Sequence, residues 1–246
     1  MYPQLFNGKS SPQSMFETST TRRHPIGTGG YTDDGRRFHY ASLVDTTAIG
    51  PNKLAQMCPP VAAHVSETGT LTGTTVASTS ESYKTITAVL GATAAYLDEY
   101  ENGLLKIESA TTGAGQAWRI PSHVAVASAG TLSFQTRDKI VTATSGTTTW
   151  SLLHNPWGSV VIQPDTITAP AAGVTLVNWP AATTAAPNFG WLQTWGLCAI
   201  LIDTTAIVAG HGAVAGAVAG ALGVAVETEI LQRIAIGVEA MGTDNV

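Results

Sequence analysis

The sequence predicts an all-β chain: a barrel or sandwich body with few short helices, preceded by a long extended N-terminal arm. Three observations carry this. Charged residues make up only 12% of the chain, about half the usual ~25%. Thr, Ala, Ser and Gly take their place, and Thr and Val favour strands while Gly and Pro favour turns. Second, short alternating runs recur at roughly 12–20-residue spacing beyond Thr85, as in barrels and sandwiches. Third, the stretch from Pro187 to Asp203, PNFGWLQTWGLCAILID, holds two of the six tryptophans, followed by the apolar run Leu197 to Ile202. A strand there puts Trp191, Gln193, Trp195 and Leu197 on one face, with Leu192 and Thr194 on the other. Gly190 and Gly196 bracket the tryptophans, as glycines do at bulges or close backbone approaches. This stretch is expected to be the central strand.

The chain reads in three parts: an extended arm over 1–53, a barrel or sandwich body over 54–170, and a C-terminal β subdomain over 171–246. Six prolines interrupt residues 1–60, and no apolar periodicity persists there. Forty extended residues reach ~130 Å, enough to cross a neighbouring subunit. Large apolar side chains, among them Tyr2, Phe6, Phe16, Phe38 and Tyr40, set it apart from a solvated tail. Asp34-Gly35 signals a hairpin turn between Tyr31-Thr32 and Arg37 to Tyr40, with Phe38 and Tyr40 on one face. Arg22, Arg23, Arg36 and Arg37 are suited to grip carboxylates or carbonyls on a partner, or else are solvated charges on a turn.

In the body, strands are expected at Thr85 to Val89, Leu104 to Glu108, Ala117 to Ile120, Thr131 to Thr136, Trp150 to Leu153 and Ser159 to Ile162. Ala92 to Glu101 reads as a short helix or a turn. Ala206 to Val226 lacks formal charge and is long enough for a membrane helix, with glycines every four residues. Its many glycines and acidic flanks also suit two strands joined by Gly turns. Ile230 to Val238 alternates as a last strand.

Composition bounds function. The formal net charge is −5. Residues 1–53 carry six basic against four acidic side chains, the remainder six against thirteen. Nucleic-acid binding needs a basic face, which this balance does not offer. Cys58 and Cys198 form no CxxC pair and are expected to act as small buried hydrophobes. MYPQLFNGKSSPQ has no apolar core of a secretory signal. No nucleophile elbow, phosphate loop or HExxH motif occurs. The six histidines lack metal-pair spacing, and Asp98, Glu99 and Glu101 read as a solvated turn rather than a calcium loop. No catalytic, metal or cofactor residues are assigned. A hydrolase assembled from distant residues such as His123, Asp138 and Ser145 has no support in spacing.

Four segments in order, GTGGYTDDGRRFHYA, NGLLKI with TGAGQAWRIPSH, HNPWGSVVIQP, and NFGWLQTWG, resemble the minor virion structural proteins of tailed bacteriophages, commonly read as capsid decoration or cement proteins. Gly29 stands where that pattern often has Arg, and the Ala/Gly-rich tail departs from it. The resemblance implies a β-rich, non-catalytic protein on the outer surface of the virion shell. Its implied partners are the major capsid protein and further copies of itself, often a homotrimer at three-fold positions. Tyr2, Phe6, Phe16, Arg22, Arg23, Arg36, Arg37, Phe38 and Tyr40 are then the expected capsid-binding residues of the arm. Trp191 and Trp195 are expected in the core or at a subunit interface. The rival reading is a virion fibre, tail or receptor-binding module using exposed aromatics.

Overall fold

The computed structural model describes residues 13–69, 71–73, 84–108, 113–136, 138, 144–203, 206–225 and 235–236. The architecture is mainly β. In chain order the strands are β1 (Gly29–Tyr31), β2 (Arg37–Leu43), β3 (Leu54–Gln56), β4 (Glu67–Thr68), β5 (Thr72–Gly73), β6 (Lys84–Val89), β7 (Leu104–Ile107) and β8 (Ala117–Arg119). They continue as β9 (Thr131–Thr136), β10 (Thr149–Leu153), β11 (Val161–Ile162), β12 (Ala171–Thr175), β13 (Asn188–Trp195), β14 (Gly212–Ala215), β15 (Leu222–Val224) and β16 (Ala235–Ile236). A single 3-10 turn, Ala62–His64, is the only helix among the described residues.

Two compact units result, and one interrupts the other in sequence. The first combines Met1–Cys58 with Ser159–Val246; the second is Pro59–Gly158. The first unit's main sheet runs β1-β2-β13-β12-β3-β11, with every pairing antiparallel. Strands from before the interruption, β1, β2 and β3, thus share one sheet with strands from after it, β11, β12 and β13. The unit boundaries fall at 58/59 and 158/159, not at the expected 53/54 and 170/171. The described part of the expected arm, 13–53, is built into this sheet through β1 and β2. Its alternating Phe38 and Tyr40 find an apolar partner face in β13, so the strand packs at home. Tyr2 and Phe6 lie outside the described residues.

The β1–β2 hairpin forms as its sequence predicts. Gly35 takes φ +83°, a left-handed conformation that costs glycine little. Its N–H donates to the Thr32 carbonyl at 2.9 Å. The Thr32 hydroxyl bonds the Asp34 carboxylate, and the Arg36 guanidinium pairs with the same side chain at 2.8 Å.

Among the described residues β13 is the longest strand, and it lies inside the sheet. At Gly190 the Trp179 ring lies directly on the backbone: a Cβ there would sit 2.7 Å from a ring carbon. The strand then ends earlier than its apolar run implies. A register shift falls between Gln193 and Trp195, and Gly196 turns the chain with φ +91°. Leu197 to Ala199 are exposed coil rather than strand, and Cys198 is exposed with them instead of buried.

Within the second unit, one sheet runs β4-β10-β7-β8 and another β5-β6-β9. Both contribute to one core that includes Ile86, Tyr100, Leu105, Trp118, Leu132 and Trp150. Alternation drives this: β9 reads exposed-buried throughout, with Leu132, Phe134 and Thr136 inward. Ala92 to Glu101 forms turns, not a helix. In the first unit, 206–225 contains the β14–β15 hairpin, the two-strand reading of the Ala/Gly-rich run, and Gly220 takes φ +77° in its turn. No helix among the described residues is long and apolar enough to cross a membrane. Of the expected last strand, Ala235–Ile236 pairs with β14; its other residues lie outside the described set.

Candidate interaction surface

The leading segment is tied down by its own side chains. Buried Gln13 donates to the Phe189 carbonyl at 3.1 Å and to the Glu17 carbonyl at 3.0 Å, and accepts from the Tyr40 hydroxyl at 2.8 Å. Ser19 and Phe189 exchange backbone bonds of 2.9 and 2.8 Å. Met15 joins Phe38, Tyr40, Phe189 and Trp191 in one apolar cluster. The His24 ring stands 5.1 Å from both Tyr40 and Trp191. This burial holds the His24 imidazole below its ordinary pKa of 6.5 and raises that of the Tyr40 phenol, since a low-dielectric setting disfavours each charged form.

The expected arm contacts therefore divide. Phe38 and Tyr40 are core residues with no exposed surface, because strand alternation turns both to the sheet face that carries Phe189 and Trp191; they are not partner contacts. Arg36 is held by Asp34 and lies 5.7 Å from the Phe38 ring centroid. Phe16, Arg22, Arg23 and Arg37 face outward.

The two tryptophans part company as well. Trp191 is 1% exposed and Trp195 68% exposed. Simple alternation puts them on one face, but the extra residue of the bulge switches the parity, so Trp195 emerges opposite Trp191. There it aligns with Arg37 of β2, which aligns in turn with Tyr31 of β1. Tyr31, Arg37 and Trp195 form an exposed row across three adjacent strands. Leu197, 74% exposed, adjoins it.

This row is held from beneath. Buried Gln193 donates to the Trp195 carbonyl at 3.2 Å and to the Leu197 carbonyl at 2.8 Å. His39 Nδ1 and the Thr194 hydroxyl are 3.0 Å apart, and burial lowers the His39 pKa. A Cβ on Gly196 would sit 2.9 Å from Arg36 Cγ. Two large apolar side chains are thus displayed by a fixed backbone.

A second concentration of polar groups surrounds Tyr100, and sequence spacing gave no sign of it. His64, His123 and His154 all have rings within 6 Å of Tyr100. Each is engaged internally. His64 Nε2 donates to the Thr93 carbonyl at 2.8 Å, and its Nδ1 lies 2.5 Å from the Tyr100 hydroxyl. His123 Nε2 accepts from the Tyr100 N–H at 3.0 Å, while Nδ1 donates to the Val124 carbonyl at 2.8 Å. With both nitrogens bonded to backbone, His123 has none left to act as a base toward Ser145. His154 Nε2 lies 3.3 Å from buried Glu99.

Glu99 is accordingly not part of a solvated turn. It accepts from the Tyr96 N–H, while Asp98 accepts from the His123 N–H. Among the described residues no group of three His, Cys, Asp or Glu side chains is placed to hold a metal. Beside this cluster lies an open cleft of about 570 Å³, with Leu97, Val124, Ser133 and Gln135 in its lining.

No family model, curated protein or solved structure matches this chain.

Proposed function

We propose that the chain is a non-enzymatic capsid decoration, or cement, protein of a tailed bacteriophage. It binds the outside of the major capsid protein shell, with its leading residues clamping neighbouring subunits. The observation that carries this reading is the leading segment. Gln13, Met15 and Ser19 fix it to the chain's own sheet, while Phe16, Arg22 and Arg23 point outward. An arm positioned before contact loses less freedom on binding. The low charge of the body suits close lateral packing, and many weak contacts repeated over a lattice add through multivalency. The sequence resemblance supplies the virion setting.

The test uses shells assembled from the major capsid protein of the same virus. Full-length chain is expected to co-sediment with them and to raise their disruption temperature. Removing residues 1–12, or replacing Phe16 with Ala and Arg23 with Glu together, is expected to weaken attachment while the first unit stays folded. Unchanged attachment of both variants removes the arm's role. No attachment of the full-length chain overturns the reading.

The exposed Trp195 favours one second reading, a fibre or tail module that recognises a host-surface glycan through its aromatics. Binding to host envelope glycans that disappears in Trp195→Ser supports it; equal binding by both proteins sinks it.

A further inference from the structure

We propose that Tyr31, Asp33, Arg37, Trp195 and Leu197 form a self-complementary face through which two copies of this chain pair across a two-fold axis. The argument starts from charge. Arg37 and Asp33 are both exposed. Among the described residues, no side-chain hydrogen bond or ion pair engages either of them. Their neighbours in the same turn, Arg36 and Asp34, are paired with each other. The hairpin therefore satisfies one Arg–Asp pair internally and displays a second pair of opposite charges outward.

Two-fold symmetry makes such a face useful. A two-fold interface uses the same patch on both copies, so the patch must carry both halves of each interaction. This one does: Arg37 meets the partner's Asp33, and Asp33 meets the partner's Arg37. Trp195 and Leu197 meet the partner's Tyr31, and because Arg37 stands between Tyr31 and Trp195 in the row, the two Arg37 side chains lie at the axis and each reaches past the other to the partner's Asp33. The charges within the patch cancel, so two patches do not repel. A foreign partner with a single-sign patch would answer only one of the two ions and leave the other facing its like.

Preorganisation points the same way. Gln193 already holds the carbonyls of Trp195 and Leu197, and the Arg36–Asp34 pair already closes the turn. Pairing freezes few additional torsions. A face of this size is nonetheless small by the standard of stable dimers, so isolated chains are expected to pair weakly, with a Kd of about 10–500 μM. This pairing does not depend on the capsid reading and is tested on the full chain alone.

Sedimentation equilibrium up to about 1 mM protein is expected to show reversible monomer–dimer exchange. Arg37→Asp and Asp33→Arg, each alone, place like charges in opposition and are expected to raise Kd at least tenfold. Mixed one to one, the two variants restore both attractions and should form a heterodimer near the parental Kd. Trp195→Ser, outside the hairpin, should raise Kd at least tenfold with an unchanged circular dichroism spectrum, which keeps the test independent of any disturbance of the turn. A chain monomeric throughout, an oligomer indifferent to all three substitutions, or a mixture that fails to pair would each overturn the proposal.

Discussion

Tyr100 and Trp195 are both large aromatics beside ionisable groups, yet they sit in opposite circumstances. Around Tyr100, three histidines and a glutamate close a network in which backbone and side chains answer one another. Around Trp195, an arginine and an aspartate face outward unanswered, and the aromatic ring stands 68% exposed. The first arrangement resembles an active site by composition and behaves as a core by connectivity. The second has no catalytic composition and behaves as a surface awaiting a partner. Where the hydrogen bonds go separates the two, not which residues gather.

The sharpest way to test the internal role of the first region is to remove its hub. Tyr100 has no exposed surface, and Tyr100→Ala deletes a core aromatic ring together with the hydroxyl that answers His64. The expected loss is about 3–5 kcal/mol of stability, read from urea denaturation. Tyr100→Phe keeps the ring but leaves His64 Nδ1 without its hydrogen-bond partner, for an expected loss of about 1–3 kcal/mol. Wild-type stability in Tyr100→Ala would mean that the cluster is not structural and would reopen it as a site.

Next in size is the close approach at Gly190. Gly190→Ala pushes a methyl group against Trp179, 2.7 Å from its ring, and both backbone and ring are enclosed. Overpacking of this kind costs about 1–3 kcal/mol. A thermal melt indistinguishable from the parent would show that Trp179 can withdraw at no cost.

How much of this was legible beforehand follows from the range of each interaction. Strands β6, β9 and β10 appeared within a residue of their observed bounds, because period-2 alternation is a local signal. The β1–β2 hairpin was legible for the same reason, through Asp34-Gly35. Pairing β2 with β13 was not, since it joins residues some 150 positions apart and no local pattern encodes it. That omission is why Phe38 and Tyr40 looked like arm contacts. The parity switch between Trp191 and Trp195 was hidden because a bulge is a backbone event that leaves the residue pattern intact. The Tyr100 cluster draws on positions 64, 99, 123 and 154, a set that no spacing rule unites. Gly196 was the one local hint that the strand would break there.

A smaller effect comes from acid. His24 and His39, both in the first unit, have pKa values lowered by burial from the ordinary 6.5. The unfolded chain therefore takes up protons at a higher pH than the folded one. As pH falls below about 6.5, unfolding gains protons that the native rings refuse, and stability drops until the lowered folded values are reached. Above that window the contribution is fully present. Urea midpoints between pH 7.5 and 5 are expected to fall on acidification, and less steeply in a His24→Gln, His39→Gln double variant. Equal slopes in the two proteins would show that burial of these rings does not govern the acid response.

The smallest expected effect, that of Trp195→Ser, completes the contrast between the two tryptophans. Trp191→Ala removes a ring that is 1% exposed and is expected to cost about 3–5 kcal/mol. In dilute protein, Trp195→Ser removes a ring already largely in water. The Gln193 bonds to the Trp195 and Leu197 carbonyls use backbone acceptors, so they survive the substitution. Stability should then stay within about 0.5 kcal/mol of the parent, read from the same urea curves. Two tryptophans on one strand, four residues apart, would differ at least about sixfold in their energetic consequence. If Trp195→Ser proves as damaging as Trp191→Ala, the bulge has not switched the face, and Trp195 belongs to the fold instead of to a partner.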